Sequence, residues 1–139
     1  MSTLNRRFAI KLIGLLPRNS TMRREDFVSY YENGHATFWN EALKEQLRAG
    51  TAEYRRSYIT RRGVKAHGAT NSPQWAGGER GVWPFDCMTE FSFVEMRDYQ
   101  RYQTIRQDPE VSRIRTEDEA VLFDVSKPFL IYTAEVYQS

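Results

Sequence analysis

The chain has 139 residues, 40% apolar, 14% aromatic and 27% charged, with a formal net charge of +2. That size and balance suit a single domain, residues 1–139, with one core, and exclude a disordered polar chain or a fibrous repeat. No run approaches the ~18 consecutive apolar residues of a membrane span, and a lone cysteine, Cys87, rules out an intrachain disulfide and speaks against a cysteine-built zinc site.

A reducing, cytoplasmic location without membrane contact is therefore expected. Charge is unevenly divided: residues 1–84 hold 14 Lys+Arg against 7 Asp+Glu, and residues 85–139 hold 6 against 11. Such a split can steer an anionic ligand, but it more simply sets opposite charges face to face across one fold or one dimer. No basic cluster is interleaved with a nucleic-acid motif, so no nucleic acid is expected as partner.

The opening "MSTLNRRFAIKLIGLLPRNS" puts basic residues before an apolar run, as a signal peptide does. Lys11 interrupts that run and no small-residue cleavage site follows, so Arg7–Leu16 is predicted to be a strand that stops at Pro17. A helix follows, with Glu25 and Asp26 in its first turn, where negative charge complements the dipole. Phe27, Tyr31 and His35 form one stripe at i, i+4, i+8 beside Tyr30, and Gly34 is predicted to end the helix. "FWNEALKEQLRAG" then suggests a second helix closed by Gly50. "EYRRSYITR", Glu53–Arg61, alternates with a period of two and is predicted to be a strand.

"RGVKAHGATNSPQWAGGERGVWP", residues 62–84, runs about twenty residues without periodicity, beyond the ~12–15 usual for a connection in a compact domain. Trp75 and Trp83 argue for a segment that orders over a pocket as a lid or is ordered by a partner subunit, since large rings seek burial. "FDCMTEFSFV", Phe85–Val94, is the third strand, with Phe85, Cys87, Thr89, Phe91 and Phe93 on one face. "EMRDYQRYQTIRQ" places Met96, Tyr99, Tyr102 or Gln103, and Ile105 or Arg106 at helical spacing. A fresh helix starts at Asp108, a good N-cap, with Pro109 at the first helical position and Val111, Ile114, Val121 and Leu122 able to face inward. "FLIYTAEVY", Phe129–Tyr137, closes the chain as a β-branched and aromatic strand.

The order βαββαβ predicts a ferredoxin-like α+β fold, an antiparallel sheet with both helices on one face. The strands nonetheless carry apolar residues on both faces: Met88 opposes Cys87 and Phe91, Ile13 opposes Leu12, and Leu130 opposes Phe129. A second apolar face has to be covered, and a second copy of the chain covers it most economically, so a homodimer is expected.

The sequence has no P-loop, GxGxxG, HExxH or GxSxG pattern, and its two histidines lie far apart, so neither a metal nor a cofactor is expected. Proton transfer remains. His35 titrates near ~6.5 in the unperturbed state and can give or take a proton at neutral pH; equally, it can cap a helix by bonding a last-turn carbonyl. Tyr31 and Tyr58 can donate hydrogen bonds to a phenolate or enolate, or pack in the core. Asp86, at the start of a strand, is a candidate acid or base against the alternative of a solvated strand-end carboxylate. Phe38 and Trp39 are candidates for an aromatic wall. Arg55 can pair with a substrate carboxylate, although Arg55 and Arg56 point to opposite faces. His67, with Trp75 and Trp83, belongs to the long segment and can reach a ligand or remain a spectator.

The pattern "KLIGLLPRNSTMRREDFVSYYENGHATFW", together with "FDCMTEFSF" and "DPEVSRIRTEDEAVLFDVSKPFLIYTAEVY", resembles the EthD-type dimeric α+β barrel family. The likeness rests on F-x-x-Y-Y-x-x-x-H-A in the first half and D-P-E-V…D-E…F-x-D in the second, and covers most of the chain except residues 62–84. It implies a homodimeric barrel. Members of fungal aromatic-polyketide pathways act as cofactor-free decarboxylases or dehydratases, whereas others accompany ether-degrading oxidases. The resemblance thus implies a cofactor-free lyase acting on an aromatic or polyketide-derived acid in secondary metabolism, with His35 as the residue carried over by motif. Related barrels suggest alternatives: a polyketide cyclase, a non-catalytic ligand-binding accessory protein, or a haem-dependent or cofactor-free monooxygenase.

Overall fold

A computed structural model describes residues 8–59, 85–124, 126 and 130–136. Four strands, β1 (Ile10–Leu16), β2 (Ala52–Tyr58), β3 (Cys87–Phe93) and β4 (Leu130–Glu135), form one sheet in the order β2-β3-β1-β4. Every pairing is antiparallel. The helices are α1 (Arg24–Tyr30), α2 (Ala36–Ala42), α3 (Lys44–Ala49), α4 (Met96–Gln107) and α5 (Pro109–Leu122). This is the ferredoxin-like α+β arrangement. The strands begin and end within a few residues of their predicted limits, as expected where side-chain alternation marks the strand but not its last hydrogen bond.

Alternation decides which face is packed. Ile10, Leu16, Cys87, Phe91 and Phe93 are all buried, and the register sets Leu12 beside Phe91 and Tyr54 beside Phe91 on the same face. Trp39 and Tyr102 descend on that face from the helices, with ring centroids 5.4 and 5.2 Å from Phe91. Tyr54 stacks on Phe91 at 4.4 Å, so one strand residue is gripped by rings from two helices and a neighbouring strand.

The opposite face carries no helix. At β1 and β4 it is apolar: Tyr132 pairs with Ile13, Leu15 pairs with Met88, and Met88 and Tyr132 are exposed. At Lys11 near the start of β1 and toward β2 it is charged, with Lys11–Glu90 at 3.5 Å and Arg55 paired with Glu53. The expectation of apolar residues on both faces therefore holds for one half of the sheet only.

Helix ends follow local chemistry. The Asp108 carboxylate accepts the N–H groups of Glu110 at 3.1 Å and Val111 at 3.2 Å, with Pro109 opening α5 as the sequence suggests. Gly50 closes α3 at φ 73°, a left-handed conformation that a Cβ disfavours. Two expectations fail. Val121 is 40% exposed rather than inward, because Leu122 takes the buried position at the end of α5. Gly34 does not stop the first helix; the chain widens into one π turn, Tyr31–His35, and continues into α2. The Ala36 N–H reaches back to the Tyr31 carbonyl, and the Thr37 hydroxyl donates to the Glu32 carbonyl at 3.0 Å, so the backbone groups of the widened turn find partners.

Candidate active site

The π turn determines where His35 points. An inserted residue rotates the helix after it, and single π turns recur at functional sites for that reason. His35 leaves the turn buried, edge-on to Tyr31 with centroids 5.1 Å apart and roughly parallel to Phe38 at 6.3 Å. Asp118, one face of α5, brings a carboxylate oxygen 2.9 Å from His35 Nδ1. One helical turn beyond His35, Trp39 donates its indole N–H to His35 Nε2 at 3.3 Å. An indole N–H can only donate, so Nε2 presents its lone pair and Nδ1 carries the proton that Asp118 accepts. The two bonds fix the ring, with Nδ1–H toward the Asp118 carboxylate and the Nε2 lone pair toward the Trp39 indole.

That ring borders a cavity of about 60 Å³ between sheet and helices. Such a space holds a few waters. Gly14 and Thr89 form part of its floor, and a Cβ on Gly14 would lie 2.9 Å from Thr89 Oγ1, too close for any other residue without movement. Tyr31, Trp39 and Tyr102 supply ring walls, and Arg106, Arg115 and Glu119 supply charge. Burial pushes the Tyr102 phenol up to about 12 and the Tyr31 phenol well above its usual 10, so both stay neutral at physiological pH.

Of the residues singled out in the sequence, His35, Tyr31 and Trp39 meet at this cavity. Tyr31 spends its hydroxyl on Tyr54, 3.2 Å away. Phe38 lies behind the imidazole and does not line the space. Three others are placed elsewhere. Asp86 is buried at the start of β3, where it accepts the Arg18 backbone N–H at 3.0 Å and faces the Arg18 and Arg24 guanidinium groups at 3.8 and 3.7 Å. It ties the end of β1 to α1 and stays outside the cavity. Arg55 is exposed on the helix-free face and paired with Glu53. Tyr58 donates to Glu32 in a short hydrogen bond, part of a cluster in which Arg56 grips the same carboxylate at 2.7 and 2.9 Å. His67, Trp75 and Trp83 lie outside the described residues.

Sequence reasoning missed Asp118, Arg106, Arg115 and Glu119. Asp118 and Glu119 sit in the D-E pair of the second-half pattern; Arg115 and Glu119 pair at i, i+4 within α5, but the partner of Asp118 is on another element and no spacing reveals it. Among the described residues no group of three or more His, Cys, Asp or Glu is placed to hold a metal ion, and no helix is long and apolar enough to cross a membrane. Both imidazole nitrogens are engaged, Nδ1 by Asp118 and Nε2 by Trp39, so these residues do not fit a haem with His35 as axial ligand.

The Glu32 cluster yields a pH prediction. Hydrogen bonding from Arg56, then from Tyr58, holds the Glu32 carboxyl below its ordinary 4.5. A carboxyl depressed in the folded state stabilises it above the unfolded value and loses that contribution as pH falls through the folded one. Stability should thus decline below about pH 4.5, and Glu32→Gln should show a shallower decline there together with a lower melting temperature at pH 7. Thermal melts across pH 2–7 check it; a parallel decline in both proteins would contradict it. Cys87 adds nothing to the chemistry, since burial raises its thiol to about 12.

The EthD domain model matches residues 19–126, more than three-quarters of the chain. This chain belongs to the EthD family. Among solved structures it is similar to an EthD-family protein of Bacillus halodurans, at 16% identity and TM-score 0.55 over 93% of this chain and 99% of that one. An EthD-like protein of Ralstonia eutropha gives 15%, TM-score 0.52, and coverage of 96% and 98%. A dimeric ferredoxin-like protein from an uncultured marine organism gives 14%, TM-score 0.56, and coverage of 96% and 91%. These likenesses show the shared fold. No curated protein matches the chain.

Proposed function

We propose that this EthD domain is a cofactor-independent lyase, a decarboxylase or dehydratase that acts on an aromatic or polyketide-derived acid in secondary metabolism. The observation that carries the reading is an imidazole, oriented by Asp118 and Trp39, at the wall of a cavity between sheet and helices. In decarboxylation of a hydroxylated aromatic acid, Nε2 takes the phenolic proton and Asp118 stabilises the imidazolium so formed. That imidazolium delivers the proton to the ring carbon bearing the carboxylate. The carbon–carbon bond then breaks, carbon dioxide leaves, and the electron pair restores the ring as a phenolate, which takes a proton from water. In dehydration, Nε2 removes a carbon-bound proton and returns it to the departing hydroxyl. Neutral phenols at the wall favour both, because fixed donors cost no reorganisation when oxyanion charge develops.

The same reading has the domain working as a homodimer. The apolar half of the helix-free face, Ile13, Leu15, Met88 and Tyr132, supports a sheet-to-sheet contact, and the marine relative is described as dimeric.

A second reading, a ligand-binding accessory protein without turnover, is favoured by one detail: Trp39 occupies Nε2 and must give way before the base can act. Purified protein incubated with hydroxylated aromatic acids and carboxylated polyketides, with gas evolution and product mass followed, separates the two. Loss of 44 or 18 mass units from a substrate supports the lyase; tight binding with unchanged mass supports the accessory protein and sinks the lyase.

A further inference from the structure

We infer that Arg106 and Arg115 form a carboxylate-binding subsite in the neck of a two-chambered cleft. The first chamber is the His35 cavity. The second is a groove of about 210 Å³ over β4 and α4, lined by Tyr99, Gln103 and Thr133 among others. The two share Leu12, Tyr102, Arg106 and Ile131, so they are consecutive parts of one cleft with Arg106 on the shared wall. Arg115 faces the inner chamber from α5. Its Nη1 meets the Glu119 carboxylate at 3.1 and 3.2 Å, but its Nε is buried without a hydrogen-bond partner. A buried charged donor without a partner is destabilising, and a ligand oxygen supplies the missing acceptor.

Among the described residues, no carboxylate lies within ion-pair distance of Arg106. The charges lining the inner chamber are therefore two guanidinium groups against one carboxylate, since Asp118 lies behind the imidazole and does not line it. A single negative charge completes the balance. Guanidinium forks match the geometry of a carboxylate, and Tyr99 and Tyr102, 6.2 Å apart and nearly parallel, offer a flat wall for an attached ring. The ligand class is an elongated aromatic carboxylate, its ring toward the groove and its acid turned inward. Arg55, singled out in the sequence for this contact, faces the other side of the sheet. The inference rests on reading the cleft as the reaction site, but its test needs no turnover.

The test is calorimetric titration of the intact protein with 2-naphthoate and with neutral 2-naphthamide, repeated on Arg106→Gln and Arg55→Gln. The acid should bind the unaltered protein at least about tenfold more tightly than the amide. Arg106→Gln, a partly exposed and unpaired position whose fold is checked by its melt, should abolish that preference. Arg55→Gln, on the other face of the sheet, should keep it. Equal affinity for acid and amide, no acid binding up to roughly 10 mM, or an acid preference that survives Arg106→Gln would each overturn the subsite. A protein that grips the acid but releases neither carbon dioxide nor water would leave the subsite standing and remove only the lyase.

Discussion

Replacing His35 by glutamine is expected to lower turnover by about 10²–10⁴-fold, the usual contribution of a positioned proton carrier. Glutamine keeps a donor and an acceptor for Asp118 and Trp39 but cannot take up and release a proton. The loss should fall on kcat, since binding of the acid depends on the arginines of the cleft. Asp118→Asn tests the same unit from the other side. It removes the charge that stabilises the imidazolium, and its amide can donate to Nδ1 and so select the wrong tautomer; a drop of roughly 10²-fold or more is expected. Single-turnover rates on refolded, monodisperse protein check both. If His35→Gln turns over at the original rate, the imidazole is a structural group.

Trp39→Ala is expected to cost about 3–5 kcal/mol, as large aromatic truncations in cores do. Against a total of about 5–15 kcal/mol for a domain, that is a large share. The reason is specific to its position. Trp39 is 3% exposed and meets Phe38 at 5.3 Å, Phe91 at 5.4 Å and Tyr102 at 5.7 Å, so its removal opens a void between α2, β3 and α4. Trp39→Phe keeps most of that packing and removes the hydrogen bond to Nε2, for a cost of about 1 kcal/mol. Urea unfolding at pH 7 distinguishes the pair. Similar midpoints for Trp39→Ala and the parent would mean that this ring is not part of the core.

The fold was legible because its signals are local. Alternation in "FDCMTEFSF" marks the packed face of β3, Asp108 and Pro109 mark the start of α5, and Gly50 marks the end of α3. Gly34 misled because a glycine stops a helix only when it turns left-handed, and among the described glycines only Gly50 has a positive φ. The site was legible only in part. His35 announced itself by residue type and by its aromatic neighbours. Its partner Asp118 is 83 residues away, and only the packing of α5 against the π turn brings the two together. Asp86 and Arg55 were plausible by chemistry alone. The register sends Arg55 to the helix-free face, and two arginines absorb Asp86. Arg106 and Arg115 carry no sequence signal of a cleft, because periodicity does not show which side of α4 and α5 borders one.

The most direct measurement follows the proton. Hydroxylated aromatic acids incubated with the protein in deuterated water, with a chelator present, should yield product bearing one deuterium at the carbon that held the carboxylate, or, for dehydration, a product 18 mass units lighter without added label, since the abstracted proton leaves with the hydroxyl. The same incubation with His35→Gln should give neither above the uncatalysed level. Either product at equal rate from both proteins, or neither product from either across the acids that bind, would contradict proton transfer by His35.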